Sequence, residues 1–314
     1  MINFEPDGFG AHAKASYCAD YLELLAWTQK APRWGDYDEY LRAAAVRVAE
    51  SYVGGDLARE LAGDDFDSDA ADFGGDAAGV SKIFYVKNVI EERVELLGDE
   101  YPFEAHDDRL VFKRENDNYL GLLSLCHLHV SKDSGGDSPA RIFERTVSDS
   151  FRSAGFAAAV MGTSSSSTFE EALLGVCSDL DLTGNPNGIA YSRWRKDDGA
   201  DCIVKVPFGE RRRRPGQWIF VGQATIAGSH RWLEKSRETS ASAWRSYLCL
   251  HQDPGRFLAV PHHVQRDAWQ YLTDRFDNGL VIDRLRICSM VRSTNPDLAA
   301  AAARLVRVGV KELD

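Results

Sequence analysis

The chain has 314 residues, of which 44% are hydrophobic, 27% charged and 11% aromatic. That composition excludes a disordered, collagen-like or disulfide-dense protein, and the length suits one large or two ordinary domains. The formal charge of −11 argues against indiscriminate nucleic-acid binding, yet it is unevenly spread. Residues 1–140 carry 13 Lys and Arg against 28 Asp and Glu, whereas residues 141–314 carry 24 against 20. The halves therefore stand at −15 and +4, which predicts two regions facing different partners and leaves room for a local basic groove in the second.

No run of about 18 apolar residues occurs, so no helix is expected to cross a bilayer and no membrane partner is implied. The opening MINFEPDGFG lacks the basic and apolar regions of a secretory signal. Six cysteines (Cys18, Cys126, Cys177, Cys202, Cys249 and Cys288) lie far apart without a Cys-x-x-Cys pair. Reduced, buried thiols in a cytoplasmic protein are the expectation.

Residues 15–30 and 37–62 carry apolar side chains at helical spacing, with a break at Gly54-Gly55, and a solvated Asp/Gly-rich loop follows at 63–80. Residues 81–97 read as a strand or helix start running into a helix, 109–113 as a strand and 119–128 as a helix. The breaker cluster SKDSGGDSP at 131–139 marks a domain boundary. The expectation is an acidic, mostly helical partner-binding or regulatory region over 1–139 and an α/β domain over 140–314. In the second region, 140–155 reads as a helix and 156–162 as a short buried strand. The Ser run 164–167 caps a further helix. Two apolar, β-branched runs, 201–208 and 217–226, are joined by GERRRRPG and read as a hairpin. A helix over 230–248, a strand 256–260, a helix 265–276, a strand 279–288 and a helix 296–309 complete the chain.

Three oxygen-bearing side chains are spaced to meet. Asp201 opens the first hairpin strand, Gln223 lies late on its partner, and Glu144 sits on the helix that begins the domain. Antiparallel pairing sets the start of one strand beside the end of the other, and hard oxygen ligands converging there are what metal-assisted phosphodiester hydrolysis requires. Arg211, Arg212, Arg213 and Arg214 form the hairpin tip, with Arg195 just before the first strand, a pattern suited to bidentate phosphate contacts. Trp194 and Trp218 flank this stretch and could stack on bases. Cys126 and His129 have a Cys-x-x-His spacing, but a second ligand pair is missing nearby, so a core thiol and surface imidazoles are expected. His262-His263 follows a strand and is a candidate proton shuttle. Read as part of a strand, Arg284 and Arg286 share one face beside Asp283, as an ion-pair ladder or a phosphate clamp. No GxSxG, GxGxxG or GxxxxGK[ST] motif occurs.

The order helix-Glu, strand, Asp-strand, Gln-x-Thr strand and helix over residues 140–290 resembles the PD-(D/E)XK restriction-endonuclease-like superfamily. VGQATIAGSHRWLEK and GLVIDRLRIC further resemble an uncharacterised bacterial defence-type group with GQ-A-T…W…K and DR-x-R blocks. The resemblance implies a mixed-sheet core and Mg²⁺- or Mn²⁺-dependent cleavage of DNA, less readily RNA, in an anti-phage or restriction setting. It makes Glu144, Asp201 and Gln223 metal ligands and catalytic residues. Where the family has lysine, two positions after the acid, this chain has Thr225, and Lys235 on the following helix is the candidate replacement. A degenerate subunit that binds nucleic acid or a partner ATPase without cutting is the alternative. Pairing of two copies suits an enzyme that cuts both strands.

Overall fold

A computed structural model describes residues 6–28, 34, 82–131, 135–162, 168–187, 198–206, 218–276 and 279–310. The expected helix over 37–62, the Asp/Gly-rich loop, the Arg211–Arg214 tip, Trp194 and Arg195 lie outside the described residues.

The N-terminal part is helical, as its periodicity predicts. Helix α1 (Pro6–Thr28) starts earlier than its apolar pattern suggests. Helix α2 (Lys82–Leu97) is one continuous element. Its Val86, Val89, Ile90 and Arg93 are all buried, the spacing of a single helical face. A small antiparallel pair follows, β1 (Phe103–Ala105) with β2 (Leu110–Phe112), in which Phe103 faces Phe112. Helix α3 (Asp117–Val130) begins where Asn116 accepts a hydrogen bond from the Tyr119 amide, and its next turns are almost wholly buried.

Helix α4 (Pro139–Ser153) has proline in its first turn, where a missing N–H is harmless, and buries Ile142, Phe143, Thr146, Val147, Ser150 and Phe151. The main sheet comprises β3 (Ala157–Val160), β4 (Cys202–Val206), β5 (Trp218–Ala224), β6 (Gly255–Ala259) and β7 (Gly279–Ile282), side by side in that order. The first three strands run antiparallel, and β5, β6 and β7 run parallel. Helix α5 (Phe169–Leu180) links β3 to β4; α6 (Trp232–Glu238) and α7 (Ala241–Tyr247) link β5 to β6; α8 (Arg266–Arg275) links β6 to β7. Parallel neighbours need such crossovers, so the mixed sheet follows from helices placed between the later strands. Helices α9 (Arg284–Met290) and α10 (Pro296–Val308) close the chain.

Alternation along the strands divides the core. Cys202, Val204, Ala224 and Phe257 pack with Phe143 and Val147 of α4, together with α1, α2, α3, α9 and α10. Ile203, Ile219 and Val221 face α5 and α7, while Leu258, Val260 and Val281 face Trp232 of α6 and α8. The first cluster draws on residues from both sides of position 139, from Ala15 to Leu305.

Two predicted elements are corrected. The helix expected over 230–248 is two short helices, interrupted where Thr239 turns its hydroxyl to the Gly199 carbonyl and Ser240 caps α7. The strand expected over 279–288 stops at Ile282, because the Asp283 side chain accepts from the Arg286 amide and starts α9.

Candidate functional site

The end of the sheet where β5, β6 and β7 finish and β4 begins carries most of the buried polar chemistry. In sheets with parallel strands the carboxyl ends are the usual place for ligands, since connections diverge there. Two groups of side chains occupy this end.

The first centres on β4 and β5. Asp201 immediately precedes β4, and its Oδ2 accepts the Ala224 amide at 2.9 Å, beside Gln223. Gln223 is buried and donates from Nε2 to Glu238 Oε2 at 2.8 Å. Lys235 Nζ lies 2.9 Å from the same Oε2, so the amide and the ammonium share one carboxylate oxygen. Asp201, Gln223 and Lys235 thus stand at one end of the sheet, Lys235 from a helix whose facing the sequence left open, and α6 adds Glu238, which the sequence reading passed over. A signal for it existed, since Glu238 lies three residues after Lys235, on the same helical face. Thr225, in the place of the family lysine, is buried and its Oγ1 accepts the Ala227 amide, shaping the turn after β5.

Glu144 does not share this layer. It lies partly buried on α4, which covers the Cys202 and Val204 face of the sheet, whereas Gln223 alternates with Gly222 onto the face covered by α6. The arginines also separate. Arg284 is fully buried and has no surface from which to reach a phosphate. Arg286 is partly exposed, bonded to Asp283 at 2.9 Å and stacked over Trp269 at 4.8 Å. The shared strand face expected for them is lost because both lie on a helix. Trp218, at the start of β5, is 58% exposed.

The second group is deeper and was not anticipated as a unit. Arg284 holds both oxygens of Asp20, at 2.8 and 2.7 Å, and donates to the Pro261 carbonyl. Arg93 reaches Asp20 at 2.8 Å and Glu23 at 2.6 Å, and Tyr101 and Tyr119 donate to Glu23. All six side chains are within about the last few per cent of full burial. Burial opposes the charge on Asp20, but the guanidiniums of Arg284 and Arg93 overcome it and hold the carboxyl far below its ordinary range. His262 enters this group from the segment after β6. Its Nδ1 lies 3.6 Å from Cys126 Sγ and 4.0 Å from Asp20 Oδ2, and its Nε2 lies 3.5 Å from the Ile226 carbonyl. Burial depresses the imidazole, yet Cys126 and Asp20 outweigh it and raise the group to about 9. His127, expected at the surface, is buried, while His129 is exposed.

No protein-family model, curated protein or solved structure matches the chain. Among the described residues no helix is long and apolar enough to cross a membrane.

Proposed function

We propose that the β4–β5 end of the sheet is a metal-dependent phosphodiesterase centre that cuts DNA, in a restriction-endonuclease-like core serving bacterial anti-phage defence. The observation that carries this reading is the sharing of Glu238 by Gln223 and Lys235 beside Asp201. The order of α4, three antiparallel strands, a helical crossover and a parallel strand supports the same core. Asp201, Glu238 and the Gln223 amide oxygen would offer an all-oxygen donor set, which suits Mg²⁺ or Mn²⁺. When bound, such an ion lowers the pKa of a coordinated water and polarises the phosphate. The chain's own residues orient the reaction. Gln223 fixes the Glu238 carboxylate, and Lys235 supplies positive charge where negative charge develops on phosphate. Arg211, Arg212, Arg213 and Arg214, with Arg195, grip the backbone, and exposed Trp218 offers a stacking face. Glu238 takes the ligand role expected of Glu144, because Glu238 stands on the Gln223 side of the sheet.

One observation favours a second reading. Thr225 is bonded into its turn and provides no cation, so the centre would suit a subunit that binds nucleic acid or a partner ATPase without cutting. Plasmid, single-stranded DNA and RNA incubated with Mg²⁺ or Mn²⁺ separate the two. The nuclease reading expects metal-dependent DNA cleavage that falls at least ~100-fold in Asp201→Asn and Glu238→Gln, with a smaller loss in Lys235→Ala. DNA binding without cleavage under any metal supports the second reading, and neither binding nor cleavage overturns both.

A further inference from the structure

Cys126, His262 and Asp20 come from three distant parts of the chain, and the fold brings one donor atom of each within 4.8 Å of the other two. We propose that Cys126 Sγ, His262 Nδ1 and Asp20 Oδ2 hold one divalent transition-metal ion of the zinc class, in a buried three-ligand site that fastens α1 and α3 to the strand ends. This site is independent of the β4–β5 centre and takes a different kind of ion.

The donor set decides the class of metal. A thiolate and an imidazole select zinc-like ions, whereas Mg²⁺ and Ca²⁺ require oxygen alone. The 3.6 Å between Sγ and Nδ1 matches the ~3.5 Å spanned by sulfur and nitrogen on one tetrahedral ion. The 4.0 Å between Nδ1 and Oδ2 must close slightly around an ion, and all three donor atoms already lie within 4.8 Å of one another. The Ile226 carbonyl, 3.5 Å from Nε2, can accept that nitrogen's proton in the neutral tautomer whose Nδ1 lone pair faces Cys126 and Asp20. An outer partner of this type is what orients a metal-bound histidine. Arg284 approaches Oδ2 at 2.7 Å and Sγ at 3.8 Å, acting as an outer-shell donor to two ligands and leaving Oδ2 a second lone pair. Charge is largely offset. Arg93 and Arg284 are matched by Asp20 and Glu23, so the Cys126 thiolate and the ion add only one net positive charge. The Cys-x-x-His spacing in the sequence pointed to His129, but that ring is exposed and the thiol turns inward to His262.

The test uses the full chain without a polyhistidine tag. Elemental analysis of protein from zinc-supplemented cells is expected to give about one ion per chain. Co²⁺ added to the metal-free protein in excess Mg²⁺ is expected to give a near-ultraviolet thiolate charge-transfer band. Both signals should vanish in Cys126→Ser and persist in His129→Gln. A wild type with less than about a tenth of an ion and no such band overturns the proposal. So does a Cys126→Ser variant that retains the metal. Should that variant fail to fold, the thiolate band of the wild type, kept in His129→Gln, decides the matter. Loss of DNA cleavage without loss of this band would concern the β4–β5 centre alone.

Discussion

Arg93 and Arg284 are charged side chains with no exposed surface, and each is satisfied only by partners from other parts of the chain. Removing one side of a buried ion pair leaves its partner's charge stranded in a poor dielectric, which costs more than the pair contributed. Arg284→Met should therefore lower stability by about 3–5 kcal/mol in urea unfolding, since Arg93 alone is left to offset both Asp20 and Glu23. Thiol chemistry follows burial in the same way. Burial pushes the Cys177 thiol up to about 11 and those of Cys202 and Cys288 up to about 12, whereas Cys249 is exposed. Iodoacetamide at neutral pH should label Cys249 first, with the buried Cys18, Cys126, Cys177 and Cys202 protected until the chain unfolds, as peptide mass mapping would show. Asp201, Gln223 and Lys235 were legible as polar residues at defined strand and helix positions. Asp20 and Arg93 were not, although each sits among apolar neighbours on a helix, because a charge on an apolar face names no partner.

Helix ends and breaks decide where the candidate groups stand. Helix α5 starts with a capping box, in which Thr168 accepts the Glu171 amide and the Glu171 carboxylate accepts the Thr168 amide. Thr168→Ala should cost about 1 kcal/mol, measurable as a shifted denaturation midpoint at constant slope. The break between α6 and α7 matters more for chemistry. Gly199 has a φ of +75°, and a Cβ there would collide with the Glu238 carbonyl. Gly199→Ala should lower the melting temperature and, on the nuclease reading, reduce cleavage by displacing Glu238 from Lys235 and Gln223. The helical period over 230–248 was readable, but the break was not. It depends on a hydrogen bond from Thr239 to a residue 40 positions away.

For the molecule as a whole, the acidic N-terminal part is built into the core at the end of the sheet. Ser16 donates to the His263 carbonyl, Tyr17 accepts the Ser229 amide, and Asp20 neutralises Arg284. Deleting residues 1–28 should yield a chain with lost near-ultraviolet dichroism and rapid proteolysis, since it strips the partners of two buried arginines. A folded, soluble remainder with raised DNA affinity would instead support the N-terminal part as an occluding lid. The same interface sets an acid response. Burial raises Glu92, but the His263 imidazole 3.7 Å away and the amide that Arg266 donates outweigh it and hold the carboxyl below its usual 4.5. Its contribution is complete above that value and is lost as pH falls through the lower folded value. Glu92→Gln should flatten the loss of stability on acidification below about pH 4.5, read from urea midpoints.

Periodicity, β-branched runs and breakers were enough to foretell a helical first part, an antiparallel hairpin and later strands separated by helices, because those signals are local. The partnership of Cys126 with His262 instead of His129, the burial of Arg284 and the entry of Glu238 beside Gln223 all arose from packing. Each depends on which helix covers which sheet face, and that is set by contacts between residues scores of positions apart, where no local pattern carries the information.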